Sequence, residues 1–216
     1  RRYEIVKDLG EDNAPRRLVS FLQENVDPGG FMITDEPMLA FKTETVLPPH
    51  LAVPCYRMLD AGLITPQEIV AAAETMRPAA LVIGKRYAEL PQVVDWASSH
   101  YCVAYAEAGE HETVYLPCPL PNSPVAVAGE GLAIHGAQSS DRAVWPGDSI
   151  QLDLVVGAVV PLKVDYTLFV HLLDADGGLC GLVDVRPLDD SYRTGRWGAG
   201  QRVLQSMRIP VAPDAS

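Results

Sequence analysis

Apolar and polar positions change their period partway along this chain. In "APRRLVSFLQENV" the apolar residues Leu18, Phe21, Leu22 and Val26 fall on one helical stripe, which Asp27, Pro28, Gly29 and Gly30 bring to a stop. "FMITD" follows as a short apolar strand. "TPQEIVAAAETM" opens with a helix-start signature: Thr65 as cap, Pro66 in the first turn and Glu68 three residues after the cap. "AALVIG" is apolar throughout, as a strand buried on both faces should be, and "LPQVVDWASSH" and "YCVAYAEA" read as a helix and a strand. Strands separated by helices of this length predict βαβ units and a mostly parallel sheet, to which "ETVYLP" adds an antiparallel edge.

Helical spacing then disappears. "PCPLPNSP", residues 117–124, holds four prolines in eight residues, a composition that suits a linker. Beyond it "GLAIHGA", "SIQLDLVVGA", "DYTLFVHLL", "LCGLVDVRP" and "RVLQSMRIP" are strand-like runs divided by Gly- and Asp-containing turns. In "SIQLDLVV" Ile150, Leu152, Leu154 and Val156 alternate with Gln151, Asp153 and Val155. In "DYTLFVHLL" Tyr166, Leu168, Val170 and Leu172 share one face, and Thr167, Phe169, His171 and Leu173 the other. The expectation is an α/β domain with a mostly parallel sheet over residues 1–120, followed by an all-β antiparallel sandwich domain over 121–216. The sandwich breaks off at "IPVAPDAS", where one more strand would be expected to close it.

Composition narrows the functions. The 216 residues carry a formal net charge of −11, which argues against a nucleic-acid partner, since phosphate backbones call for a basic footprint. Arg1 and Arg2, opening a chain that lacks an initiator Met, suggest a fragment of something longer; Arg16 and Arg17 read as a solvated helix face. No apolar run approaches the ~20 residues that span a bilayer. Cys55, Cys102, Cys118 and Cys180 form no C-x-x-C pair, so no metal is expected. If residues 101–118 form a hairpin turning at 109–111, Cys102 and Cys118 come opposite each other; a disulfide and two buried thiols both remain open.

Several motifs invite a chemical reading and fall short of it. Gly129, Glu130, Gly131 and Gly136 lack the spacing of a dinucleotide loop. Asp174, Asp176 and Gly177 begin like a calcium loop but read better as a hairpin turn. Asp35, Glu36 and Pro37 follow a strand, where α/β sheets often bind ligands; capping of the helix that Pro37 starts is the plainer role for Asp35. No catalytic residue and no cofactor is assigned. Trp197, Tyr192 and His171 form the candidate ligand-binding set, because "SYRTGRW" places hydroxyl, guanidinium and indole groups together as sugar recognition requires. The competing account has Trp197 plugging the end of the sandwich and His171 hydrogen-bonded within a wall.

The runs "AVWPGDSIQLDL", "DYTLFVHLLDADGGL", "DVRPLDDSYRTGRWGAGQRV" and "MRIPV" resemble the carboxy-terminal domain of large bacterial membrane glycosyltransferases. These belong to the protein O-mannosyltransferase-like superfamily, whose members use polyprenyl-phosphate sugars. "ITDEPMLAFKTETVLPP", "AGLITPQEIVAA" and "RPAALVIGKRYAELPQVVDW" resemble the soluble α/β segment that follows the last membrane span in that family. The resemblance implies an extracytoplasmic portion attached to the cell membrane, its partner being the membrane-embedded amino-terminal part of the same polypeptide. It also implies that the catalytic carboxylate lies outside this chain and that a glycan or glycan acceptor is what the soluble part would position. Two other readings stand beside it: a carbohydrate-binding or adhesion module on its own, and a small α/β enzyme with a β appendage.

Overall fold

The computed structural model describes residues 16–107, 111–139 and 143–215. The pair Arg1 and Arg2 and most of the expected 109–111 turn lie outside them. Arg16 and Arg17 are on the exposed side of their helix. Two compact units emerge, Arg1–Leu90 and Pro91–Ser216.

In the first unit, α1 (Arg16–Asn25) buries Leu18 and Leu22, and β1 (Met32–Thr34) runs parallel to β2 (Ala80–Ile83) with Ile33 opposite Leu81. Every residue of both strands is buried, as two-sided coverage of a parallel pair demands. Between them lie α2 (Pro37–Lys42), α3 (Tyr56–Asp60) and α4 (Pro66–Met76). The start of α4 follows from its sequence: the Thr65 side chain accepts from the Glu68 N–H, and the Glu68 carboxylate accepts from the Thr65 N–H at 2.9 Å. Helix α5 (Lys85–Ala88) follows β2 directly.

The second unit begins with α6 (Pro91–His100) and continues through β3 (Tyr101–Ala106), β4 (Thr113–Pro117), β5 (Ala126–Ala128), β6 (Leu132–Ser139) and β7 (Ser149–Ala158). A hairpin of β8 (Leu168–Leu173) and β9 (Leu179–Val185) precedes β10 (Arg202–Pro210). The strands of this unit run in the order β4-β3-β10-β7-β6-β5, while β8 and β9 form a separate two-stranded sheet. The larger sheet is mixed: β10 is antiparallel to β7 over nine residue pairs and parallel to β3 where Val203 meets Val103.

That pairing moves the division of the chain. The proline cluster marks a boundary at 120/121 in the sequence, yet the compact units part between Leu90 and Pro91. The reason is β10, which seats itself between β3 and β7 and so joins residues 101–117 to the β-rich strands. The proline segment is pinned across this sheet. Buried Arg202 donates to the Asn122 side chain and to the Ser99 carbonyl.

In place of the expected antiparallel sandwich over 121–216 stand a larger mixed sheet, which takes in β3 and β4 from before residue 121, and a separate two-stranded sheet of β8 and β9. Val203, Gln205, Met207 and Ile209 are buried along β10, while Ser206 and Arg208 are exposed and bond Asp153 and Gln151 on β7. Strand β9 approaches the end of β10 so closely that a Cβ at Gly181 would stand 2.3 Å from the Pro210 carbonyl oxygen. No helix among the described residues is long and apolar enough to cross a membrane.

Candidate functional site

The sequence-derived set divides in the structure. Trp197 is 1% exposed, its indole N–H donating to the Tyr192 carbonyl at 3.0 Å, and its ring lies 6.2 Å from that of Tyr192. The Tyr192 hydroxyl accepts from the Gln201 side-chain amide and is hydrogen-bonded to the Tyr115 hydroxyl, which lies 3.5 Å from Ser98 Oγ. Burial pushes both phenols above their ordinary range, so they stay neutral. Trp197 and Tyr192 therefore meet as expected, but inside the domain, where no sugar ring can stack on the indole. The reason is local: Thr194–Arg196 makes one tight 3-10 turn, and the buried Thr194 side chain holds Val164 and Tyr166, turning the indole inward.

His171 does not join them. It is exposed on the outer face of the β8–β9 hairpin, opposite Leu182 and flanked by exposed Phe169 and Leu173. The wall account is half right: Trp197 plugs a core, and His171 stands on an open surface. Of the other indoles, Trp145 is 79% exposed on the turn before β7, which backbone bonds between Asp148, Gly147 and Val211 hold in place.

A second cluster stands where β1 and β2 end, the edge at which parallel α/β sheets bind ligands. Asp35 follows β1 directly and is wholly buried. Its carboxylate does not cap the helix that Pro37 starts; that helix has Glu36 as its cap residue and no side-chain cap bond. Instead it caps α5, accepting the N–H groups of Gly84 at 2.7 Å, Arg86 at 2.8 Å and Tyr87 at 3.3 Å. Gly84 is required by this approach, because a Cβ there would stand 2.8 Å from Asp35 Oδ1. The Arg86 guanidinium bonds the Asp35 carbonyl and the Glu36 carboxylate, the latter at 2.8 Å. Its Nε lies 3.8 Å from Asp35 Oδ2, within ion-pair range but too far for a hydrogen bond. The Tyr87 hydroxyl, buried beneath, has no hydrogen-bond partner among the described residues, and burial raises its pKa.

Chemically, Asp35 is committed: three backbone N–H groups occupy its oxygens. Glu36 and Arg86 reach solvent and offer acceptor and donor groups side by side. Asp174, which opens the sequence resembling a calcium loop, is likewise spent on its own turn, accepting from the N–H groups of Asp176 and Gly178. No cluster of metal-binding side chains occurs among the described residues.

Cys102 and Cys118 form a disulfide with their Cα atoms 5.1 Å apart. Register places Cys102 opposite Leu116, so the bridge runs diagonally from β3 to the residue just past β4. Cys55 is free and exposed, and Cys180 free and buried. No family model, curated protein or solved structure matches this chain.

Proposed function

We propose that this chain is the extracytoplasmic soluble portion of a membrane glycosyltransferase that uses a lipid-linked sugar donor, and that it positions acceptor or glycan rather than performing the transfer. The observation that carries the reading is the Cys102–Cys118 disulfide, since such bonds persist in oxidising compartments and are rare where thiols are kept reduced. It agrees with what the resemblance to the polyprenyl-phosphate-sugar-dependent enzymes implies. The commitment of Asp35 to backbone N–H groups is consistent with a catalytic carboxylate supplied from elsewhere.

The test is thiol trapping in the native cell with a membrane-impermeant maleimide before and after reduction. Cys102 and Cys118 should label only after reduction, and the coding frame upstream should hold several membrane spans. Free thiols at both positions in growing cells would overturn the extracytoplasmic assignment. A lone secretory signal upstream would favour the alternative, a carbohydrate-binding or adhesion module, for which exposed Trp145 rather than Trp197 offers the stacking ring.

A further inference from the structure

We propose that residues 119–124 form a strap across β6 that opens when His135 takes up a proton. The strap runs between two fixed ends, the disulfide at Cys118 and the Val125 N–H, which donates to the Ile134 carbonyl at 2.7 Å. Between them Pro119, Pro121 and Pro124 have no N–H to give, and residues 121–124 are exposed. Leu120 lies over Gly136, where a Cβ would stand 3.4 Å from its Cδ1, and the Asn122 side chain accepts from Arg202. Side chains thus hold the strap, and it can part from the sheet while the pairing of β6, β7 and β10 stays intact.

A bulge sets His135 at this crossing. Ile134 pairs with Val156 and Gly136 with Val155, so His135 is the extra residue of β6 and stands out of the ladder. Its imidazole is buried, and Nδ1 has no hydrogen-bond partner among the described residues. A Cβ at Gly157 would stand 3.0 Å from His135 Nε2 and 3.2 Å from Arg202 Cγ, so the imidazole and the arginine stem cover the same glycine. The Arg202 guanidinium, itself buried, holds Asn122 of the strap and the Ser99 carbonyl. A proton on His135 therefore sets a second positive charge beside a buried one.

No carboxylate offsets that pair. Strands β5 and β6 and the strap contain no other charged residue. Asp153 shares the Gly157 side of β7 but lies four residues along it, about 13 Å at 3.3 Å per residue, and accepts from Ser206. His100, next to Ser99, is exposed and stacks on Trp96. Burial, with Arg202 adding to it, holds the His135 pKa below the ordinary imidazole value, although the backbone at Pro121 and Asn122 draws it the other way. The closed strap thus excludes the proton, and the open one, with both groups hydrated, accepts it. Closure is complete above the ordinary value, weakens as pH falls from there to the lowered one, and weakens no further below. Opening uncovers a guanidinium and an imidazolium together on a chain whose formal net charge is −11.

The test is NMR of the 216-residue chain from pH 7.5 to 5. Backbone order parameters of Leu120, Asn122 and Ser123 should fall from the rigid range, about 0.85, to below about 0.6, while amides of β7 and β10 keep their exchange protection. This transition should share its midpoint with the titration of the His135 ring, read from its own ring protons in the unaltered chain. His135→Gln should keep the strap ordered to pH 5, Arg202→Met should leave it mobile at pH 7.5 as well, and His100→Gln should change nothing. If His135→Gln does not fold, the midpoint comparison decides. A transition that misses the His135 midpoint, persists in His135→Gln or vanishes in His100→Gln would overturn the proposal. So would a strap still ordered at pH 5, or one that loosens only as β7 and β10 lose protection, which is unfolding of the whole unit.

Discussion

Each unit of this chain uses one buried charged side chain to fix a stretch of irregular backbone, and the two do so by opposite means. In the first, the Asp35 carboxylate gathers the N–H groups of Gly84, Arg86 and Tyr87, with the Arg86 guanidinium close by. In the second, the Arg202 guanidinium reaches neutral acceptors, the Asn122 side chain and the Ser99 carbonyl, with no carboxylate among its hydrogen-bond partners in the described residues. An anion at a helix start is compensated by dipoles and a cation together, so its loss strands many partners at once. A cation held by neutral oxygens leaves behind groups that water can reclaim, since Asn122 is exposed. The same burial thus implies unequal dependence.

The largest effect follows from Asp35→Ala, which leaves three backbone donors without an acceptor; it should destabilise the first unit by about 4 kcal/mol. Asp35→Asn keeps one acceptor oxygen and should cost about half as much, as read by urea unfolding followed in that unit. Next comes the double replacement Cys102→Ser with Cys118→Ser. Opening a loop with a sequence separation of 16 should cost about 3 kcal/mol in the second unit and nothing in the first.

Arg202→Met removes the cation but keeps an apolar stem, and should cost about 1–2 kcal/mol. Its sharper signature is proteolytic: the segment 119–124, no longer held, should be cut faster than in the parent while β7 and β10 stay intact. A cost equal to that of Asp35→Ala would erase the contrast between the units.

The smallest effect is a pH dependence. Burial and the neighbouring Arg202 guanidinium hold the His135 pKa below the ordinary imidazole value of about 6.5. Between the lowered folded value and the unfolded one, the unfolded chain binds more protons, so stability falls as pH drops through that window and levels below it. The unfolding midpoint of the second unit should decline from pH 7.5 to 5, and His135→Gln should flatten that decline.

What could be read in advance was local. The Thr65–Glu68 capping box, the stripe of α1, the apolar run of β2 and the two faces of β8 all depend on neighbours a few residues away, and each stands as its pattern implies. What escaped was non-local. Asp35 looks like a cap for the helix beside it and serves one 49 residues on, because strand order and not sequence proximity decides which helix start lies within reach. Prolines at 117–124 look like a linker, since composition cannot show that Arg202, 80 residues beyond Asn122, fastens them down. Trp197 could plug or display by its sequence; the inward turn at Thr194 decided it.

The seat of β10 has a consequence for how the chain is made. A ribosome delivers β3 and β7 well before β10, and the strand that must lie between them is separated from β3 by 100 residues at the Val203–Val103 pair. At about 5–20 residues synthesised per second, that interval lasts about 5–20 s. β3 throughout it, and β7 from its own synthesis onward, present a side meant for a strand not yet translated. A strand-shielding chaperone is therefore expected to bind the nascent chain until residues near 210 emerge. Chains stalled just before Arg202 should be captured by such a holdase, and chains stalled well after Pro210 should be released.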